Sequence, residues 1–302
     1  MSTNSFTLGH VEVTRVVEFE AATRPPNAMF ADLGPQVWDD NRSWLSPDFW
    51  DRDTGLLMTR MQTFVLRSEG VTILVDTGVG NDKSRPLAPL FAHRSTDFLD
   101  RLAAVGVAAQ DVDVVVNTHL HADHVGWNTR LVDGQWVPTF PNARYLMPRA
   151  DYDFWQPGNP RPSRTRAVNE NVFADSVTPV VRAGQAVLWE DRHDIDGGLR
   201  LEHAPGHTPG SSVLTLRSGT EHAVFVGDVL HNPVQIVEPD ANSCFCEDPA
   251  AARASRRRVL DRAADQGALI FPAHLRGRSA MWVQRAGSSY TIQSWAPFGE
   301  QA

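Results

Sequence analysis

The chain has 302 residues, 42% of them hydrophobic and 21% charged, the proportions of a globular protein that can bury a substantial core. A formal net charge of −8 argues against a surface built for nucleic acid or anionic lipid, and no apolar run reaches the roughly 18 residues of a membrane span. Residues 1–10 have neither a basic start nor an apolar core, and two cysteines are too few for a secreted disulfide scaffold, so the chain reads as cytoplasmic.

Residues 6–20 alternate and then run apolar through Val11, Val13, Val16 and Val17, which predicts a strand or hairpin. Residues 23–59 show no period and carry Pro25, Pro26, Pro35 and Pro47 among Phe30, Trp38, Trp44, Phe49 and Trp50. A stretch of that length without regular structure reads as a lid, a binding loop or an interface arm. Two readings stay open: the rings of Phe30, Trp38 and Trp44 wall an apolar substrate pocket or bury against a second copy in a homodimer, or they cover a sheet edge. An N-terminal extension over 1–60 thus precedes the main unit at 61–302, in a single domain overall. Residues 61–67 and 71–75 read as a hairpin, the second strand ending at Asp76-Thr77-Gly78. Residues 95–105 predict a helix, with Ser95 as cap, an inward stripe of Phe98, Leu99, Leu102 and Val105, and Gly106 as its stop.

The apolar run Val114-Val115-Val116 then breaks into Asn117-Thr118 and delivers His119, His121, Asp123 and His124. His119, His121 and Asp123 share parity, so an extended backbone projects them to one side, and a turn at Asp123-His124 aims the next imidazole at an adjacent point. Imidazole and carboxylate are what a Zn²⁺-class cation accepts at neutral pH, and the end of an apolar strand is where open α/β sheets place their sites. Packing does not require such a density of ligands, whereas a metal does.

At these residues the chain resembles the metallo-β-lactamase superfamily, whose signature is Thr-His-x-His-x-Asp-His-x-Gly. The resemblance implies three further ligands in the order His, Asp, His, each at a strand end. His207 in Ala204-Pro205-Gly206-His207-Thr208-Pro209-Gly210, Asp228 in Phe225-Val226-Gly227-Asp228 and His274 in Ile270-Phe271-Pro272-Ala273-His274 answer it, so that it covers roughly residues 62 to 276. It further implies an α/β fold, an αββα sandwich of two similar halves with the metals along one edge. Asp76 is implied to steady the ligand histidines by accepting a spare imidazole N–H; the competing reading is a turn residue.

Farther along, residues 144–147 predict a strand and 163–175 a helix with Val168, Val172 and Phe173 inward; between them Phe154 and Trp155 are further candidates for pocket lining. Strands are expected at 199–203, 212–216, 223–226 and 268–271. A last helix starts at Asp248-Pro249 and stops at Gly267, with Arg253, Arg256, Arg257 and Arg258 on its solvated side. Cys244 and Cys246 read as ordinary thiols before that helix.

By the resemblance, one metal takes His119, His121 and His207, the other Asp123, His124 and His274, and Asp228 bridges both. The implied cofactor is two Zn²⁺, with Mn, Fe or Co as alternatives, and the implied function is a dinuclear hydrolase in which a metal-bridging hydroxide cleaves a small lactone, ester or phosphotriester. Asp123 doubles as a catalytic residue. His231 stands where some lactone-hydrolysing relatives place a substrate-contacting Tyr, and reads as a proton donor, a substrate contact or a plain loop residue. The alternatives are an iron-dependent persulfide dioxygenase, a glyoxalase II-type thioesterase and a β-lactamase.

Overall fold

The computed structural model describes residues 4–296 and residue 298. Residues 1–3 of the segment expected to lack a leader, and 297 and 299–302 of the expected main unit, lie outside the described residues.

Two sheets carry the fold. The first has the spatial order Ser5–Leu8, Val11–Ala22, Leu56–Ser68, Val71–Val75, Val114–Val116, Arg144–Pro148 and Ala186–Trp189, with Trp50–Asp51 pairing Leu56–Ser68 beside it. It is antiparallel as far as Val71–Val75 and parallel from there on. The second runs Arg192–Asp194, Leu199–His203, Ser212–Ser218, Glu221–Gly227, Leu269–Pro272, Met281–Ala286 and Ser289–Trp295, with one parallel junction between Glu221–Gly227 and Leu269–Pro272.

Side-chain alternation sorts these strands into layers. Val114 and Val116 point into a core shared with Leu214, Leu216, Phe225 and Phe271 of the other sheet, while Val115 joins an outer cluster with Phe98 and Leu102 of helix Phe98–Ala104. On the second sheet Val213, Val224, Val226 and Ile270 face outward against Val259, Leu260 and Ala263 of helix Pro249–Gln266. The period of two along each strand therefore buries both faces of both sheets, and the result is the expected αββα sandwich. Among the described residues no helix is long and apolar enough to cross a membrane.

Several local expectations are corrected. Residues 23–59 are not irregular throughout: short helices form at Pro26–Met29, Pro35–Asp40 and Arg42–Leu45. Their aromatic side chains are drawn into the outer core of the second sheet, where Phe30, Trp38 and Phe49 are buried, Trp44 packs alongside, and Phe49 stacks on Trp295 at 5.4 Å. The 60/61 boundary falls inside strand Leu56–Ser68. The helix expected at 95–105 begins at Phe98, after Asp97. The helix expected at 163–175 gives way to turns, with Asn171 at φ 70°, and helical structure appears only over Phe173–Val177 and Thr178–Arg182. Arg256 is fully buried rather than solvated, and donates to the carbonyls of Val229, Pro239 and Ala241. The last helix otherwise starts and stops as expected: the Asp248 carboxylate accepts from the amides of Ala250 and Ala251, and Gly267 closes it in the left-handed region.

Candidate metal centre

Strand Val114–Val116 ends against the Asp76 turn, and that contact shapes the ligand loop. Thr77 N donates to His124 O and Gly126 N donates to Gly78 O, both at 2.8 Å. Gly126 lies so close to this turn that a Cβ on it would fall 1.9 Å from the carbonyl of Val79, so the loop tolerates only glycine there. The buried Glu18 carboxylate clamps the other side of the turn, accepting from the amides of Val79 and Gly80 and from Trp127 Nε1. Burial raises the Glu18 carboxyl above its usual value, and these donors work against that shift.

Hydrogen bonds outside the cluster fix where each imidazole carries its proton. His124 Nδ1 lies 2.8 Å from Asp76 Oδ2 and His274 Nδ1 lies 3.2 Å from Arg60 O, and both of those oxygens can only accept. The Thr118 hydroxyl donates to Asp76 and so accepts from His119 Nδ1 at 3.2 Å. The Thr165 hydroxyl donates to Glu247 Oε1 at 2.6 Å and accordingly accepts from His121 Nε2 at 3.2 Å. Four imidazoles therefore turn an unprotonated nitrogen inward. His207 differs, for its Nδ1 meets no acceptor at good hydrogen-bonding geometry, and the buried Cys246 thiol beside the ring favours its protonated form.

The inward nitrogens converge with the carboxylates in two groups. His119, His121, His207 and Asp228 form one, Asp123, His124 and His274 the other, with ligand atoms within 4.8 Å of one another in each. Asp228 divides its oxygens between them: Oδ2 lies 3.2 Å from His207 Nε2, while Oδ1 lies 3.0 Å from His274 Nε2 and 3.3 Å from His124 Nε2. His274 Nε2 and His124 Nε2 are 3.1 Å apart although both rings are already protonated on Nδ1, so an extra proton or a cation must stand between those lone pairs. His119 Nε2 and Asp228 Oδ1 are buried without a hydrogen-bond partner, as open ligand atoms would be. This donor set fits divalent cations of the zinc class.

The charges agree with that need. Burial opposes protonation of His124, yet Asp228, Asp76 and Asp123 hold it well above the usual histidine value, and Asp228 holds His207 up at about 9 against the same opposition. Burial would also raise Asp228, but His274 and His124 draw it well below the carboxylate range. His119 and His121 are pushed well down by burial and by neighbouring imidazoles. Without a cation His124 and His207 would hold protons beside Asp228, and bound cations would displace them.

Five of the seven, His121, Asp123, His207, Asp228 and His274, form the floor of a cavity of about 300 Å³, with His119 and His124 behind them. His231 opens onto it too, with Nε2 3.2 Å from Asp228 Oδ2 and 3.3 Å from Ser243 Oγ; burial lowers its pKa to about 4 against the pull of Asp228. The expected pocket aromatics are elsewhere. Phe30 and Trp38 lie in the outer core of the second sheet, and Trp44 packs on it. Phe154 is buried in the outer core of the first sheet, and Trp155 backs His121 at 5.3 Å without facing the cavity. The walls are instead Met29, Met61, Leu87, Leu90, Phe91 and Phe245, together with Arg24. Sequence reasoning also missed Thr165, Glu247 and Asp151. Only Asp151 left a trace in the sequence, as an acidic residue in the first turn of helix Arg149–Trp155.

The sequence profile of the metallo-beta-lactamase superfamily matches residues 62–274. Mouse metallo-beta-lactamase domain-containing protein 1 is 28% identical over 235 residues, which cover 69% of this chain and 75% of that protein. An N-acyl homoserine lactonase of a Bacillus species is 24% identical over 167 residues, 51% of this chain and 57% of the lactonase. Among solved structures, the hydrolase AbOPH superposes with a TM-score of 0.78 at 25% identity, covering 95% of each chain.

Proposed function

The chain belongs to the metallo-β-lactamase superfamily as a metal-dependent hydrolase, and we propose that it holds two divalent cations, zinc by the chemistry of its donors, and cleaves a small lactone, ester or phosphotriester. The carrying observation is Asp228, whose two oxygens face the two ligand groups on the floor of a mostly apolar cavity. A single-metal reading, such as a persulfide dioxygenase, leaves Asp123, His124 and His274 without a task. The Bacillus lactonase supports the lactone end of the range.

Bound cations would supply an ionised water near neutral pH and a polarised carbonyl or phosphoryl oxygen. The chain's own residues do the rest. Asp76, Thr118, Thr165 and the Arg60 carbonyl hold the imidazoles in one tautomer and orientation. Asp123, the most exposed of the seven ligands at 16% of its side chain, is placed to take a proton from the attacking water. His231, held by Asp228 and Ser243, is placed to contact the substrate's leaving side. The apolar walls exclude bulk water.

The test is elemental analysis of zinc-reconstituted protein, with turnover measured on lactones, aryl esters, phosphotriesters, thioesters and β-lactams. Two zinc ions per chain and hydrolysis within the first three classes are expected, with turnover abolished in His121→Ala and in Asp228→Ala. Undiminished rates in both variants would refute the assignment.

A further inference from the structure

The cavity above the ligand cluster is walled by methionine, leucine and phenylalanine, yet one guanidinium reaches it. Among the described residues that line it, Arg24 is the only arginine or lysine. Its main chain is pinned, since Leu57 N donates to Arg24 O at 2.9 Å and Thr23 N donates to Leu57 O at 2.9 Å. The guanidinium lies over the Phe245 ring, 4.5 Å from its centroid, and one terminal nitrogen donates to Cys244 Sγ at 3.2 Å. A thiol sulfur is a weak acceptor, and Arg24 forms no ion pair with a carboxylate among the described residues. Arg60, Arg276 and Arg85, by contrast, are spent on carboxylates: Arg60 and Arg276 on Glu20, Arg85 on Asp175.

A guanidinium on a half-buried residue, held in place by an aromatic face and left with open donors, is the arrangement that receives a carboxylate in bidentate fashion. We propose that Arg24 is a specificity-determining residue that binds a carboxylate at the end of the substrate remote from the scissile bond. The substrate class is then an anionic amphiphile: an ester-like group over the ligand cluster, an apolar stem against Met29, Met61, Leu90 and Phe91, and a carboxylate on Arg24. The assignment rests on the hydrolase reading for the position of the ester, but not for the position of the anion.

The experiment uses the zinc-loaded full chain with 4-nitrophenyl hemiesters of succinic, adipic and suberic acid, each beside its neutral methyl diester. For the hemiester whose length spans the cavity, KM is expected to be lower than that of its neutral partner by about tenfold to a hundredfold, the range of a charge-assisted hydrogen-bonded pair. Arg24→Met should bring the ratio of the two KM values to near one, and Arg24→Lys should keep part of it. Calorimetric binding of adipamic acid against hexanamide supplies a readout that needs no turnover. Adipamic acid should bind more tightly to the wild type, and the difference should disappear in Arg24→Met. Equal binding of the two amides, or a preference that persists in Arg24→Met, overturns the proposal. Arg24-dependent binding without hydrolysis of any ester would leave the anion site standing and remove the hydrolase reading instead.

Discussion

Thr165→Val isolates the step on which the metal centre depends. The hydroxyl is buried, donates to Glu247 Oε1 at 2.6 Å and accepts from His121 Nε2 at 3.2 Å. Glu247 is itself fixed by the amides of Arg164 and Thr165 and by the Ser163 hydroxyl, so the chain from Glu247 to His121 has little freedom. Valine keeps the shape and removes the acceptor, which leaves the His121 N–H unsatisfied or frees the ring to carry its proton on the inward nitrogen. A buried polar group left without a partner costs about 1–3 kcal/mol, and one decade of affinity is about 1.4 kcal/mol, so binding at the His119, His121 and His207 group should weaken roughly tenfold to a hundredfold. The Asp123, His124 and His274 group has its own supports and should be spared. Competition against a colorimetric chelator should accordingly show one weakened equivalent and one unchanged, with Thr165→Ser restoring both. Two equivalents of wild-type affinity, or two weakened alike, would refute the tautomer argument, because the first outcome denies the coupling and the second turns it into general destabilisation.

Two further predictions concern the frame. Arg256→Met removes three donors from the buried carbonyls of Val229, Pro239 and Ala241, and should cost about 3–5 kcal/mol of unfolding free energy in urea titration; a loss below about 1 kcal/mol would mean that water or backbone shifts replace those bonds. Lys83 is buried between Thr129 and Asp175, and burial lowers its pKa to about 7 despite Asp175. The unfolded chain binds that proton up to about pH 10, so between pH 7 and 10 it holds more protons than the folded one and stability should rise with pH, by up to about 1 kcal/mol per unit from this group. Urea midpoints at pH 7 and pH 9.5 should diverge in the wild type more than in Lys83→Met; equal divergence would mean that Lys83 stays charged in the fold.

The candidate metal ligands were legible because their chemistry is dense in the sequence. His119, His121, Asp123 and His124 sit within one loop, and each later ligand follows an apolar strand that the period of two reveals. The pocket was not legible, because the sequence shows that Phe30 and Trp38 are aromatic but not which sheet they cover. Arg256 was misread although the signal was present: Ala252, Arg256, Val259, Leu260 and Ala263 recur at helical spacing, and the arginine lies on that stripe. The helix expected at 163–175 failed for a tertiary reason. Thr165, Asn169 and Asp175 are taken by His121, the Ala122 amide and Arg85, contacts that a continuous helix does not supply together.

Each half of the chain brings only part of the cluster, so the site must be set by whatever holds the two ligand-bearing edges together. Asp151 does this on one side, for its buried carboxylate accepts from Leu120 N in the first ligand loop and from Thr208 Oγ1 and Gly210 N in the second. Burial raises the Asp151 carboxyl above its usual value, and these three donors oppose the rise, so the carboxylate depends on both loops being in place. On the other side Ser212 donates from its amide and its hydroxyl to Thr118 O, and Gly227 comes so near that a Cβ would meet Thr118 Oγ1 at 2.6 Å. Thr118 is the same residue that orients His119 and contacts Asp76. Docking of the two sheets and orientation of the imidazoles therefore run through one threonine, and the spacing of the two ligand groups follows from how closely the halves pack rather than from any single loop.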